Sequence, residues 1–86
     1  MPYFVYMIKT VDGFRKKTYV GYSNNLEKRI LEHNTNRGAK STKGYKWSLI
    51  YKKKFLLKSD AMKYEYKLKI NRTKRQKILL KSEKKN

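Results

Sequence analysis

Six carboxylates among 86 residues are few enough to take one at a time. Asp12 stands in an Asp-Gly turn signal, Asp60 follows Ser59 as a helix cap, and Glu83 lies in a lysine-rich tail. Glu27 and Glu32 fall on the polar side of a helical stretch. Glu65 is left, and it shares the inward face of a second helix with Ala61, Tyr64 and Leu68. Among so many cations, a half-buried Glu has a simple role as the partner of a nearby Lys or Arg. It could also ligate a hard divalent ion, because Mg²⁺ takes oxygen ligands and needs only one or two carboxylates when phosphates supply the rest. Arg29 and His33 form a second anomaly, since they share one helix face with Leu26 and Ile30. Singly, such an Arg snorkels to solvent and such a His is a packed, hydrogen-bonded residue. One turn apart, they could form an anion site in which Arg grips a phosphate and His moves a proton. Tyr6 and Tyr19 lie in apolar, strand-like runs. They read either as sheet aromatics or as hydroxyls that nearby cations bring into acid-base range.

The elements that must position these groups follow from pattern. Residues 3–10, YFVYMIKT, and 17–22, KTYVGY, read as two strands of an antiparallel hairpin, with Arg15, Lys16 and Lys17 at or near its tip. Ser23, Asn24 and Asn25 supply cap chemistry for a helix through 26–34. Two Gly and several turn formers make 34–46 a loop. Its Lys40, Lys43 and Lys46 are candidate nucleic-acid contacts, beside Arg37. Residues 47–57, WSLIYKKKFLL, read as a third strand with a bend at the lysines. Ser59 and Asp60 cap a helix over 61–70, and a short helix follows over 73–81. The order is β-β-α-β-α-α, a sheet covered by helices. A single domain over 1–82 and a frayed basic tail over 83–86 are expected.

Twenty-four Lys and Arg against six Asp and Glu give a formal net charge of +18. A chain this basic repels itself unless an anion neutralises it, and nucleic acid is the obvious polyanion. Charge alone does not separate DNA from RNA or from a membrane surface. Compositional bias explains Lys in place of Arg but not the scarcity of carboxylates. With no Cys, there are no disulfides and no thiol chemistry. The first ten residues lack the plan of a signal peptide, and no apolar run approaches a membrane span, so a cytoplasmic protein is expected.

Tyr19, Val20 and Gly21, followed by Ser23, Leu26, Arg29 and His33, resemble the second half of the GIY-YIG nuclease motif. Phe4, Val5 and Tyr6 occupy the place of its first half, with Phe4 where the name has Gly. The run from Ala61 to Glu65 resembles the family's helix with a metal-binding Glu. Gly38-Ala39-Lys40 and Thr73-Lys74-Arg75-Gln76-Lys77 are similar to the small stand-alone, YhbQ-like (URI-type) members. The Asn that follows the Glu in some branches has no match, since Asn71 comes six residues later.

The resemblance implies an α+β domain with a three-stranded antiparallel sheet flanked by helices. It implies hydrolysis of DNA phosphodiesters with one divalent ion, Mg²⁺ or Mn²⁺ in its place, and no small-molecule cofactor. Glu65 would hold the metal. Tyr6 and Tyr19 would lie at the scissile phosphate, and one of them, with His33, would help deprotonate the attacking water. Arg29 would stabilise the charge that builds on the phosphoryl group. Two other readings stand beside the endonuclease: a basic nucleic-acid-binding module on the same fold, and a partner-binding protein that uses the lysine-rich tail. A domain this small has few surfaces for base readout, which favours recognition of shape or backbone, or help from a protein partner.

Overall fold

Tyr3–Thr10 forms β1, the middle strand of a three-stranded sheet, and its neighbours dictate its composition. Thr18–Ser23 (β2) pairs antiparallel on one side and Trp47–Phe55 (β3) on the other, in the order β2-β1-β3. The remaining elements of the computed structural model, which describes residues 1–84, are helices α1 (Leu26–Asn34), α2 (Lys58–Ile70) and α3 (Arg72–Glu83), plus a short 3₁₀ turn at Lys40–Thr42. The fold is the α+β arrangement expected from the sequence. Side chains alternate across a strand, yet four consecutive residues of β1, Val5, Tyr6, Met7 and Ile8, are all buried. Both faces are covered, so the strand reads as a continuous apolar run rather than an alternating one. Val5 and Met7 pack with Val20, Ala61 and Leu68 under α2, with Ile78 of α3 alongside. Tyr6 and Ile8 pack with Trp47, Leu26 and Ile30 under α1.

The hairpin connection turns at Asp12 and Gly13, as expected, with Gly13 at φ +94°, a conformation that favours glycine. Thr10 ties the ends together: its hydroxyl donates to the Arg15 carbonyl (2.9 Å) and accepts from the Lys17 amide (3.1 Å). β2 therefore begins at Thr18, one residue later than the pattern suggested. β3 ends at Phe55, two residues before the expected boundary, and its irregularity is not at the lysines. Met7 pairs with Tyr51 and Ile8 with Leu49, which leaves Ile50 as an extra residue, a β-bulge. Lys52, Lys53 and Lys54 instead continue the ladder, exposed on an edge strand where charge discourages pairing with foreign strands.

Helix α1 has the cap the sequence promised. The Asn25 side chain accepts from the Lys28 amide at 3.2 Å, and the Ser23 hydroxyl braces the turn before it. α2 differs. It starts at Lys58 with Leu57 at the cap position and no side-chain cap, so Ser59 and Asp60 lie inside its first turn. There the Asp60 carboxylate meets the positive end of the helix dipole instead of capping it. Asn71 ends α2 and caps α3 through the Lys74 amide at 3.0 Å. The Arg75 guanidinium donates back to the carbonyls of Leu68 and Lys69 at the end of α2. α3 reaches Glu83, one residue into the stretch expected to fray; Lys85 and Asn86 lie outside the described residues.

Candidate active site

Under α1, three buried polar side chains form a single chain of hydrogen bonds. Tyr6 and His33 are each 0 % exposed, and the Tyr6 hydroxyl lies 2.7 Å from Nε2 of His33. On the other side of the ring, Nδ1 lies 3.0 Å from Oγ1 of Thr42. Thr42 fixes the direction of the whole chain. Its hydroxyl proton goes to the Ala39 carbonyl at 2.8 Å, so its oxygen accepts from His33. Nδ1 therefore carries the proton, and Nε2 presents a lone pair to the Tyr6 hydroxyl. Charge states agree with this. Burial, reinforced by the Arg29 guanidinium, pushes the imidazole of His33 down to about 4. Burial pushes the Tyr6 phenol up to about 12, with Arg29 pulling the other way and the charges of Tyr19 and Glu65 adding to the rise. Near neutral pH both groups are uncharged, and each ring nitrogen is occupied.

Strand register sets the rest. Tyr6 pairs with Gly21 across β1 and β2, and Ile8 with Tyr19, which puts Tyr6, Tyr19 and Gly21 on one face. Gly21 is glycine for a steric reason: a Cβ there would sit 2.5 Å from the Tyr6 hydroxyl and 3.1 Å from the Tyr19 ring. Tyr19 is half-buried, with its ring centroid 5.0 Å from that of His33 and 6.5 Å from that of Tyr6. Arg29, one turn before His33, is partly exposed and pairs with Glu32 at 3.1 Å, so Glu32 is not simply a residue of the polar side. Burial works against the Arg29 charge, and Tyr6 and Glu32 outweigh it, so its pKa is raised. Glu65 enters from α2, which packs on both β1 and β2. Its side chain is 17 % exposed and loosely paired with Lys69 at 3.6 Å. Its charge is felt at the Tyr6 hydroxyl.

The structure thus brings Tyr6, Tyr19, Arg29 and His33 together under α1, with Gly21 as spacer, and Glu65 acts on Tyr6 from α2 as a charge. Only Tyr19, Arg29 and Glu65 keep surface for a ligand to meet. The loop lysines are less uniform. Lys40 and Lys43 are exposed, whereas Lys46 donates to the Asn34 carbonyl at 2.9 Å. Three positioning roles have no counterpart in the sequence reading, which has only Gly38 among them, as part of a motif. Thr42 orients His33, and Gly38 lies against the imidazole so closely that a Cβ would collide with Nδ1. Asn34 is a third: its amide accepts from the Trp47 amide (2.6 Å) and donates to the Trp47 carbonyl (3.1 Å), stitching the end of α1 to the start of β3.

As a metal site the arrangement is sparse. Among the described residues no group of three or more His, Cys, Asp or Glu could hold an ion. With Glu32 engaged by Arg29 and both nitrogens of His33 occupied, Glu65 is the available carboxylate. One carboxylate fits a hard ion such as Mg²⁺, which keeps several waters and takes phosphate oxygens from a substrate.

A model of the GIY-YIG catalytic domain matches residues 2–78, and the chain belongs to that family of nucleases. Within it the chain is similar to UPF0213 proteins. It is 43 % identical over 68 residues to one from Oceanobacillus iheyensis, covering 78 % of this chain and 76 % of that one. It is 39 % identical over 79 residues to one from Staphylococcus saprophyticus, covering 90 % and 93 %. The solution NMR structure of a UPF0213 protein from Bacillus halodurans matches with a TM-score of 0.50 at 33 % identity, covering 95 % of this chain and 87 % of that one.

Proposed function

We propose that this protein is a metal-dependent endonuclease that hydrolyses DNA phosphodiester bonds. The observation that carries the reading is the Tyr6 hydroxyl, held by a neutral His33 and subject to the charges of both Arg29 and Glu65. Glu65 would hold Mg²⁺, which would act as a Lewis acid on the phosphate and its leaving oxygen. Arg29 stabilises the charge growing on the phosphoryl oxygens. Tyr19, which keeps exposed surface, makes the first contact with the attacking water. Behind it, Nε2 of His33 accepts a hydrogen bond from the Tyr6 hydroxyl and so holds the phenol in place, with its oxygen lone pairs directed away from the imidazole. The proposed substrates are branched or damaged DNA read by shape and backbone, in repair or recombination, with the cytoplasm as the setting.

The second reading is a binding module on the same fold. The complete burial of Tyr6 favours it, because a hydroxyl with no exposed surface meets no substrate in this conformation. One experiment separates the two: incubation of wild type and Glu65→Gln with single-stranded, duplex and branched DNA and Mg²⁺ or Mn²⁺. Cleavage should fall by roughly 10³-fold in the variant while affinity changes about twofold or less. If wild type cuts none of these DNAs, or the variant cuts at the wild-type rate, the enzyme reading fails.

A further inference from the structure

Residues 48–52 of β3 form one wall of a groove of about 920 Å³, and α3 forms the other. Lys74, Lys77 and Lys81 line the helical wall, at i, i+3 and i+7, in one row around Ile78. Lys9 lines the sheet side and Lys52 the edge of β3, and no carboxylate among the described residues lines the groove. Lysine on an edge strand has an ordinary explanation, protection against strand-to-strand association. That accounts for Lys52 but not for three lysines that a helix directs into the same groove. Ser48, Thr73 and Ser82 also line the groove, and Leu49 and Ile78 give it an apolar part. Lysines with neutral hydrogen-bonding groups suit phosphate oxygens and sugars, and exposed apolar surface suits the faces of sugars and bases.

The groove also has a direction. At its Lys52 end the groove reaches the edge of the sheet beside the backbone of Tyr6, one strand spacing away, about 4.8 Å, with the Tyr6 side chain on the opposite face. We propose that the groove between β3 and α3 holds the sugar-phosphate backbone of the nucleic-acid strand that flanks the cleavage position. The term "flanking" rests on the nuclease reading; the binding of a strand does not.

The test needs no cleavage. Fluorescence anisotropy of a labelled single-stranded oligonucleotide, in EDTA and over a range of KCl, gives the slope of log affinity against log salt. Each phosphate contact on a single strand contributes roughly 0.7 to that slope. The triple variant Lys74→Gln, Lys77→Gln and Lys81→Gln should therefore lower it by about 2. Replacing the same three lysines by Arg should preserve it. A control triple with the same charge change, Lys16→Gln, Lys63→Gln and Lys67→Gln, should lower it by less than about 0.5. Thermal melts by circular dichroism check that every variant folds. Equal losses in both Gln triples would mean that only bulk charge matters, and an unchanged groove triple would mean that no strand lies there; either overturns the proposal. So does a groove triple that loses polyglutamate binding while holding the oligonucleotide normally, which would assign the groove to an acidic protein segment. Because no metal is present, failure of the cleavage assay leaves this result standing.

Discussion

On one face of β1, Val5 and Met7 lie against Val20, Ala61 and Leu68; on the other, Tyr6 and Ile8 lie against Trp47, with His33 and Thr42 buried beside them. The same strand serves both faces, and burial is equally complete, but the means differ. The first face is held by non-directional apolar contact, which tolerates small shifts. The second buries a phenol, an imidazole and a hydroxyl. Each of these would be costly without a partner, and each has one. No buried side-chain nitrogen or oxygen among the described residues lacks a hydrogen bond. The α2 face therefore secures the fold, whereas the α1 face gives up apolar packing to keep a hydrogen-bonded line of polar groups.

Breaking the apolar face should have the largest effect on stability. Leu68→Ala is expected to cost roughly 3–4 kcal/mol in urea unfolding, through lost burial and the cavity left behind. The Tyr6 hydroxyl bond to His33 should survive in the fraction that remains folded. A cost under about 1 kcal/mol would mean that the α2 face is not the main support.

Acid should act almost wholly on the other face. His33 titrates near 6.5 when unfolded and near 4 when folded, so the unfolded chain takes up a proton between those values. Its contribution is fully present above pH 6.5 and is lost as pH falls through 4, amounting to about 3 kcal/mol. Urea midpoints measured from pH 7 to 4 should fall in the wild type and level out in His33→Gln. A parallel decline in both proteins would assign the acid sensitivity elsewhere.

The smallest change sharpens the comparison most. Thr42→Val removes the acceptor for Nδ1–H of His33 at nearly constant volume, and should cost about 1–2 kcal/mol. Thr42→Ser should recover most of it. The ¹⁵N shifts of His33 should report the Nδ1–H tautomer in wild type and Thr42→Ser; an Nε2–H signal in wild type would reverse the direction of the hydrogen-bond chain.

Much of this was legible in the sequence where local chemistry decides. β1 and α1 lie where the pattern put them, because the strand is unbroken and Asn25 caps as Asn does. The start of α2 was misplaced because Ser59 and Asp60 look like caps, and tertiary packing, not a cap, starts that helix. The bulge at Ile50 was hidden because a single sequence does not reveal which residue its partner strand will skip. In the site, Arg29, His33 and Glu65 announced themselves as polar residues on apolar faces. Thr42 and Gly38 gave no such signal. They sit among turn formers, and their roles exist only once the loop closes over His33.

That closure has a consequence for the length of the chain. Asn34 binds both backbone groups of Trp47, so the segment 35–46 leaves and rejoins the body at one point. For a loop with pinned ends, each doubling of length adds only about 0.6 kcal/mol of closure entropy. The part that must remain fixed is short, from Gly38 to Thr42. Tyr45 packs against Trp47 and Lys46 binds Asn34 and Val11, so the exposed residues 36–37 and 43–44 are where added length would disturb His33 least.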